Sequence, residues 1–227
     1  GSIFDINGPS CFPQEEPQYV LAFMNSKLMK CYLSILCPGV TFQVGDIFKA
    51  PFTEQICKES TIKEITDKNI SISKLDWDAH ETSWDFEKNP LVFSIKDSGW
   101  GKLEDSVADY ELVWTNRFKQ LHANEEELNR KFIEIYGLQD ELDPHVEYED
   151  ITIIQQGEIN LYRPAHGLDA FSSVEEAKKW GTVLEDEEMV VAHQSVLNWN
   201  EDVIIKQLIS YIVGCYMGRY RLDRPGL

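Results

Sequence analysis

Apolar residues recur at three- and four-residue steps along several segments of this 227-residue chain, and this spacing predicts amphipathic helices. Four helices are expected, over Tyr19–Leu36, Leu103–His122, Asn124–Tyr136 and Glu201–Met217. Asn124 and Asn200 are predicted to cap the last two helices, and Gly137 fits a C-terminal cap. The spacing of Gly214 and Gly218 indicates tight packing of the final helix.

Strand signals are shorter and fewer than helix signals. Short strands are expected at Ile3–Ile6, Val40–Val44 and Ile151–Ile154, and residues 155–172 are expected to form a loop. Residues 61–100 are expected to be irregular chain held in place by tryptophans, namely Trp77, Trp84 and Trp100. The sequence therefore predicts a helix-rich α+β fold.

The charge of the chain is strongly acidic and unevenly distributed. It has 21 basic and 39 acidic residues, a net charge of −18. Residues 61–150 hold 10 basic and 22 acidic residues, whereas residues 1–60 hold 4 and 6. An overall basic nucleic-acid binder is excluded, so any contact with DNA needs a local basic surface.

Residues typical of catalysis or metal binding are sparse. The five cysteines are odd in number and form no Cys-x-x-Cys pair, which favours free thiols in a reducing cytoplasm. No histidine lies three or four residues from another histidine or a cysteine, so no metal site is predicted. Asp169 with Glu176 and Lys178 fits a nuclease motif loosely, but a solvated helix face explains these residues more simply.

No apolar run reaches the roughly 20 residues that span a membrane, so no membrane partner is expected.

Three strings near the start of the chain occur in a distinctive order. They are residues 4–9 (FDINGP), 21–27 (LAFMNSK) and 41–47 (TFQVGDI), and Pro51 follows. This order resembles the closing part of the target-recognition domain in adenine-specific DNA methyltransferases of restriction–modification systems.

Further strings resemble the PglX-type methyltransferases of BREX phage-exclusion systems. They are residues 76–78 (DWD), 81–86 (ETSWDF), 90–91 (PL), 124–129 (NEEELN), 136–142 (YGLQDEL), and 209–211 (ISY) with 214–215 (GC) and 218–220 (GRY). The resemblance spans about residues 3–154 and 201–227, which leaves 155–200 as an unplaced insertion. It implies that residues 1–52 are the C-terminal part of a target-recognition domain and that residues 53–227 are a helical C-terminal module.

The family that the chain resembles methylates N6 of a flipped-out adenine with S-adenosylmethionine. The family's Asn/Asp-Pro-Pro-Tyr/Phe motif is absent here, because no Pro-Pro pair occurs in the chain. Its glycine-rich cofactor motif is absent too. The chain is therefore expected to be a C-terminal fragment with no catalytic residue and no cofactor of its own, and S-adenosylmethionine is implied only for the parent protein.

The resemblance and the local charge together suggest residues that contact double-stranded DNA. Lysine and arginine reach phosphates, serine and glutamine can hydrogen-bond to DNA, and glutamine can read adenine. The candidates are Ser26, Lys27, Lys30, Gln43, Lys49 and Arg219. Capping and packing are the alternative roles of these residues.

A second interpretation concerns the acidic, tryptophan-containing segment 61–150. Acidic charge with tryptophan anchors suits a protein partner better than DNA. The alternative function is therefore an interaction module that docks other subunits of a phage-defence complex.

Overall fold

The computed structural model describes residues 10–13, 16–37, 44–92, 102–162, 183–185, 188–190 and 196–221. The expected strand at Ile3–Ile6, all but the last residue of the one at Val40–Val44, and the side chains of Gln43 and Trp100 lie outside the described residues. Among the helices that are described, none is long and apolar enough to cross a membrane.

Helices dominate the described part of the chain. The α-helices are α1 (Pro17–Asn25), α2 (Lys27–Leu36), α3 (Val44–Ile47), α4 (Ser60–Asp78), α5 (Leu103–Tyr136) and α6 (Glu201–Tyr216). Short 3-10 helices cover Ile56–Lys58 and Tyr148–Asp150, and the strands are β1 (Ile159–Tyr162), β2 (Val183–Glu185), β3 (Glu188–Val190) and β4 (Val196–Trp199). The predicted helix-rich α+β class is confirmed.

The described strands form two antiparallel pairs. β1 pairs with β4, with Ile159 opposite Trp199, and β2 pairs with β3. The expectation of a loop over residues 155–172 is therefore wrong at β1. Pairing of β1 with β4 also brings together the two ends of residues 155–200, the segment that the motifs do not cover.

The chain divides into two compact units. The first unit comprises Gly1–Ile72 and Gln120–Val146, and the second comprises Ser73–Lys119 and Glu147–Leu227. Each unit therefore combines two separate stretches of sequence. The expected boundary after residue 52 stays a prediction.

The core of the first unit is built around Phe23 of α1. Its ring lies edge-on to Phe132 of α5, with ring centres 5.8 Å apart, and edge-on to Phe52 at 5.5 Å. Met29, Ile56 and other apolar side chains complete the same cluster. Burial of these large side chains supplies the main favourable free energy of this unit.

The single helix expected over Tyr19–Leu36 is wrong, because the chain breaks into α1 and α2 at Ser26. Ser26 has an extended backbone, with φ −72° and ψ 153°, and its side chain accepts a hydrogen bond from the Met29 N–H. A serine at an N-cap competes with the backbone for helical N–H groups, which ends one helix and begins another.

The expectation of irregular chain is wrong for α4. Buried Ile62 and Thr66 lie four residues apart on one face of this helix, which is the helical period. Polar residues around this narrow stripe concealed it in the sequence. Trp77 and Trp84 do not hold the chain in place either, since Trp77 is 55% exposed and Trp84 100% exposed.

The two helices expected on either side of Asn124 form one continuous helix, α5. Asn124 is buried inside it and its Nδ2 donates to Asn69 Oδ1 at 2.7 Å, so it does not cap a helix. Gly137 is confirmed as the C-terminal cap: it has φ +66°, and the Leu138 N–H donates to the Ile133 carbonyl at 3.0 Å.

The final helix is confirmed as α6, although the Asn200 side chain makes no capping hydrogen bond. The helix ends in the same type of cap, because Gly218 has φ +78° and the Arg219 N–H donates to the Gly214 carbonyl at 2.8 Å. Tyr220 then folds back over the helix. A Cβ at Gly214 would lie 2.6 Å from the Tyr220 ring, so the predicted tight packing is confirmed there.

No strand forms at Ile151–Ile154, contrary to expectation. Ile151, Ile153 and Ile154 are nevertheless fully buried, and Ile154 has φ +52°. These buried residues anchor a turn of the second unit instead of a strand.

Candidate functional site

The N-terminus of α2 contains two of the residues expected to contact DNA, Ser26 and Lys27. Ser26 is buried, and its hydroxyl donates to the Phe23 carbonyl at 2.6 Å while accepting from the Met29 N–H at 3.2 Å. These bonds use both the donor and an acceptor site of the hydroxyl. The structure therefore gives Ser26 a role in joining α1 to α2.

Lys27 is tied to α5 and the loop that follows it. Its backbone N–H donates to Asn129 Oδ1 at 2.9 Å, and its Nζ donates to the His145 carbonyl at 3.1 Å. Asn129 in turn donates to the Pro144 carbonyl at 3.2 Å. The Lys27 ammonium thus anchors the start of α2 within the first unit.

Lys30 and Lys49 are the candidate cations that the first unit leaves exposed. Lys49 Nζ lies 3.3 Å from Asp46 Oδ1, and its carbonyl accepts a hydrogen bond from the Tyr32 hydroxyl at 2.5 Å, which holds its backbone beside α2. Residues 17–53 contain three lysines and one acidic residue, Asp46, a net charge of +2. We call these residues the basic segment.

The remaining candidates lie elsewhere. The side chain of Gln43 is outside the described residues. Arg219 belongs to the second unit, where its guanidinium lies 5.1 Å from the centre of the Tyr220 ring. A DNA-binding role for any of the six candidate residues stays a prediction.

A cluster of two histidines and a glutamate lies beside Lys27, the residue that anchors the start of α2. Glu126 Oε1 is 2.9 Å from His145 Nδ1 and 3.5 Å from His122 Nε2, and it accepts the Val146 N–H at 3.2 Å. His122 Nε2 also lies 2.7 Å from the Val146 carbonyl oxygen. The sequence reasoning missed this cluster. The four-residue spacing of His122 and Glu126 was its one sequence signal, because folding alone brings in His145.

The second unit contains a buried ion pair, His80 with Glu158. Glu158 Oε1 lies 2.6 Å from His80 Nε2 and accepts from Gln207 Nε2 at 2.6 Å, while Oε2 accepts the Gln156 N–H at 2.7 Å. His80 Nδ1 lies 2.7 Å from the Asp76 carbonyl oxygen. Both ring nitrogens face acceptors, an arrangement that favours the doubly protonated ring.

The pKa values of this pair follow from burial and mutual attraction. Burial favours the neutral ring, but the Glu158 carboxylate outweighs it and raises the pKa of His80. Burial likewise opposes the charge of Glu158, and hydrogen bonds from His80 and Gln207 hold its pKa below the usual value. Both shifts favour the ionised form of the pair, which joins three segments of the second unit.

The comparisons with known proteins support the resemblance seen in the motifs. No family model matches the chain. Over 231 aligned residues, the chain is 32% identical to the adenine-specific methyltransferase PglX of Lacticaseibacillus casei (strain Zhang). Over 231 aligned residues, it is 31% identical to the adenine-specific methyltransferase BrxX of Escherichia coli O9:H4 (strain HS). The chain is homologous to a segment of these methyltransferases. Both alignments cover all of the chain, which spans 15% of PglX and 16% of BrxX.

The described residues of this PglX and BrxX homologue do not fit S-adenosylmethionine. A glycine-rich cofactor loop connects a strand to a helix, yet Gly137 and Gly218 end helices, Gly157 lies in a turn and Gly214 packs against Tyr220. Both described strand pairs are antiparallel.

Proposed function

We propose that this chain is a DNA-contacting and scaffolding segment of an N6-adenine DNA methyltransferase of the phage-defence type. Homology to PglX and BrxX over the full chain supports the class of the parent protein. The absence of a Pro-Pro pair from the sequence supports assigning methyl transfer, and S-adenosylmethionine with it, to other residues of the parent.

The observation that carries the proposed DNA contact is the exposed positive charge of the basic segment. Lys30 and Lys49 have exposed side chains on a stretch with net charge +2 in a chain of net charge −18. Within that stretch, the Lys49 ammonium lies 3.3 Å from Asp46 Oδ1 and the Lys27 ammonium donates to the His145 carbonyl. Phosphate contacts by such groups position a protein on the duplex without reading its sequence. Acidic groups farther away than the Debye length, about 8 Å at physiological salt, repel that duplex only weakly.

The double substitution Lys30→Gln with Lys49→Gln tests this proposal. It removes two positive charges while leaving the Lys27 anchor and the Ser26 cap intact, so the fold should persist. We expect several-fold weaker binding to a random-sequence duplex at low salt, measured by fluorescence anisotropy. The matched control is Lys58→Gln with Lys68→Gln, two exposed lysines outside the basic segment. Equal affinities of the two double variants would argue against the proposed contact.

The exposure of Trp84 favours the alternative function, a docking module for other defence proteins. Trp84 is 100% exposed in the second unit, next to the acidic Asp85. Tryptophans are enriched where protein partners bind.

Trp84→Ala separates the two functions. If the acidic segment docks a defence protein, this variant of the full-length parent loses copurification of coexpressed defence subunits and retains its DNA affinity. Tyr216→Ala, which removes an exposed aromatic ring outside the acidic segment, is the control. Retention of every subunit by the Trp84→Ala protein would count against the docking function.

A further inference from the structure

We propose that His122, Glu126 and His145 bind a divalent transition-metal ion, with zinc as the best fit. One donor atom from each residue lies within 4.8 Å of the other two, and all three residues belong to the first unit. None of the three residues belongs to the basic segment, residues 17–53.

The distances between donor atoms suit a small ion. Bonds of about 2.0–2.2 Å to nitrogen and oxygen place neighbouring ligands of a tetrahedral zinc roughly 3.3 Å apart. Glu126 Oε1 lies 3.5 Å from His122 Nε2 and 2.9 Å from His145 Nδ1, so these two separations fall on either side of that value. The two histidine donor atoms lie within 4.8 Å of each other, so side-chain rotation is needed to reach tetrahedral separations.

The types of donor select the class of ion. Two imidazoles and one carboxylate suit zinc and neighbouring transition metals, whereas magnesium and calcium prefer oxygen ligands throughout. His122 is buried, which excludes water from one side, and the half-buried Glu126 and His145 leave a path for the ion to enter. Three protein ligands leave a fourth position for water.

Binding exchanges hydrogen bonds for bonds to the metal. His122 Nε2 faces the Val146 carbonyl, so it must release its proton and the ring must adopt the Nδ1–H tautomer before Nε2 coordinates the ion. The Val146 N–H already donates to Glu126 Oε1 and orients the carboxylate.

The position of the site suggests what the ion would do. An ion shared by α5 and His145 would fasten the loop after α5, whose His145 carbonyl accepts from Lys27 Nζ. The same loop is linked to α2 through Asn129. The ion would therefore stabilise the packing that presents the basic segment, which is a structural role.

Metal titration of the full chain tests the site. Chelator-treated protein is titrated with Zn²⁺ by calorimetry, and thermal unfolding is followed with Zn²⁺, with Mg²⁺ and with chelator alone. We expect about one zinc per chain and a rise of the melting temperature with Zn²⁺ but not with Mg²⁺. The variants are Glu126→Gln and His145→Asn, with Glu134→Gln as a control on an exposed part of the same helix.

At least tenfold weaker zinc binding in both variants, with unchanged binding in Glu134→Gln, would support the site. Wild-type protein that binds no zinc saturably, or variants that bind zinc as tightly as the control, would overturn it. Cobalt substitution of the wild type provides a readout that needs no variant. A strong visible spectrum of four-coordinate cobalt supports the site, and a weak six-coordinate spectrum contradicts it.

Discussion

Replacing Glu158 with alanine is expected to lower the free energy of unfolding by about 3–5 kcal/mol, the usual cost of removing one partner of a buried ion pair. Glu158 is fully buried, and the substitution leaves His80 Nε2, Gln207 Nε2 and the Gln156 N–H without their acceptor. Urea unfolding followed by circular dichroism measures the change. Glu87→Ala, an exposed glutamate of the same unit, should change stability by less than about 0.5 kcal/mol.

The contribution of the pair should also depend on pH. The pKa of His80 is raised, so its contribution is complete below its ordinary value of 6.5 and is lost as the pH rises through the raised value. The pKa of Glu158 is lowered, so its contribution is complete above its ordinary value of 4.5 and is lost as the pH falls through the lowered value. The difference in unfolding free energy between wild type and Glu158→Gln is therefore expected to be largest between about pH 4.5 and 6.5. A difference that does not vary with pH would contradict an ionised pair.

Replacing Phe23 with alanine is expected to cost about 3–5 kcal/mol, as for other fully buried phenylalanines. The ring of Phe23 packs against Phe132, Phe52 and Tyr136 and is 1% exposed, so its loss leaves a cavity between α1 and α5. Because α2 follows α1 directly, the Phe23→Ala protein should also lose its DNA affinity on heating at a lower temperature than the wild type does.

Phe48→Ala is the matched control for this substitution. Phe48 is 84% exposed and belongs to the same unit, so the same change of side chain should alter stability by less than about 0.5 kcal/mol. Similar losses in the two variants, measured by urea unfolding, would show that Phe23 does not anchor the core.

Local patterns predicted those parts of the fold that depend on neighbouring residues. The apolar stripe of α6 and the left-handed glycine that ends α5 are set by nearby sequence, and both predictions are confirmed. The predicted helix cap at Asn124 is wrong because the hydrogen-bond partner of its side chain, Asn69, lies on another helix. The buried stripe of α4 is narrow, and polar residues surround it, so propensity alone could not reveal the helix.

The candidate site shows the same division between local and tertiary effects. The Lys27 side chain and backbone N–H bond to residues more than a hundred positions away, so the sequence could not show that this lysine anchors α2. Several motifs that supported the resemblance have structural roles: Asp76 accepts the Ile154 N–H, Asn129 joins α5 to α2, and Gly214 packs against Tyr220. Motifs of this kind identify relatives well without marking a catalytic centre.

The salt dependence of duplex binding by the wild-type chain tests the central claim most directly. If Lys30 and Lys49 neutralise phosphates, the logarithm of the binding constant should fall with the logarithm of salt concentration, with a slope of about −2. The Lys30→Gln, Lys49→Gln protein should then show a slope reduced in magnitude by about 2. A wild-type chain that binds no duplex at low salt, or whose slope the double substitution leaves unchanged, would contradict DNA contact through the basic segment.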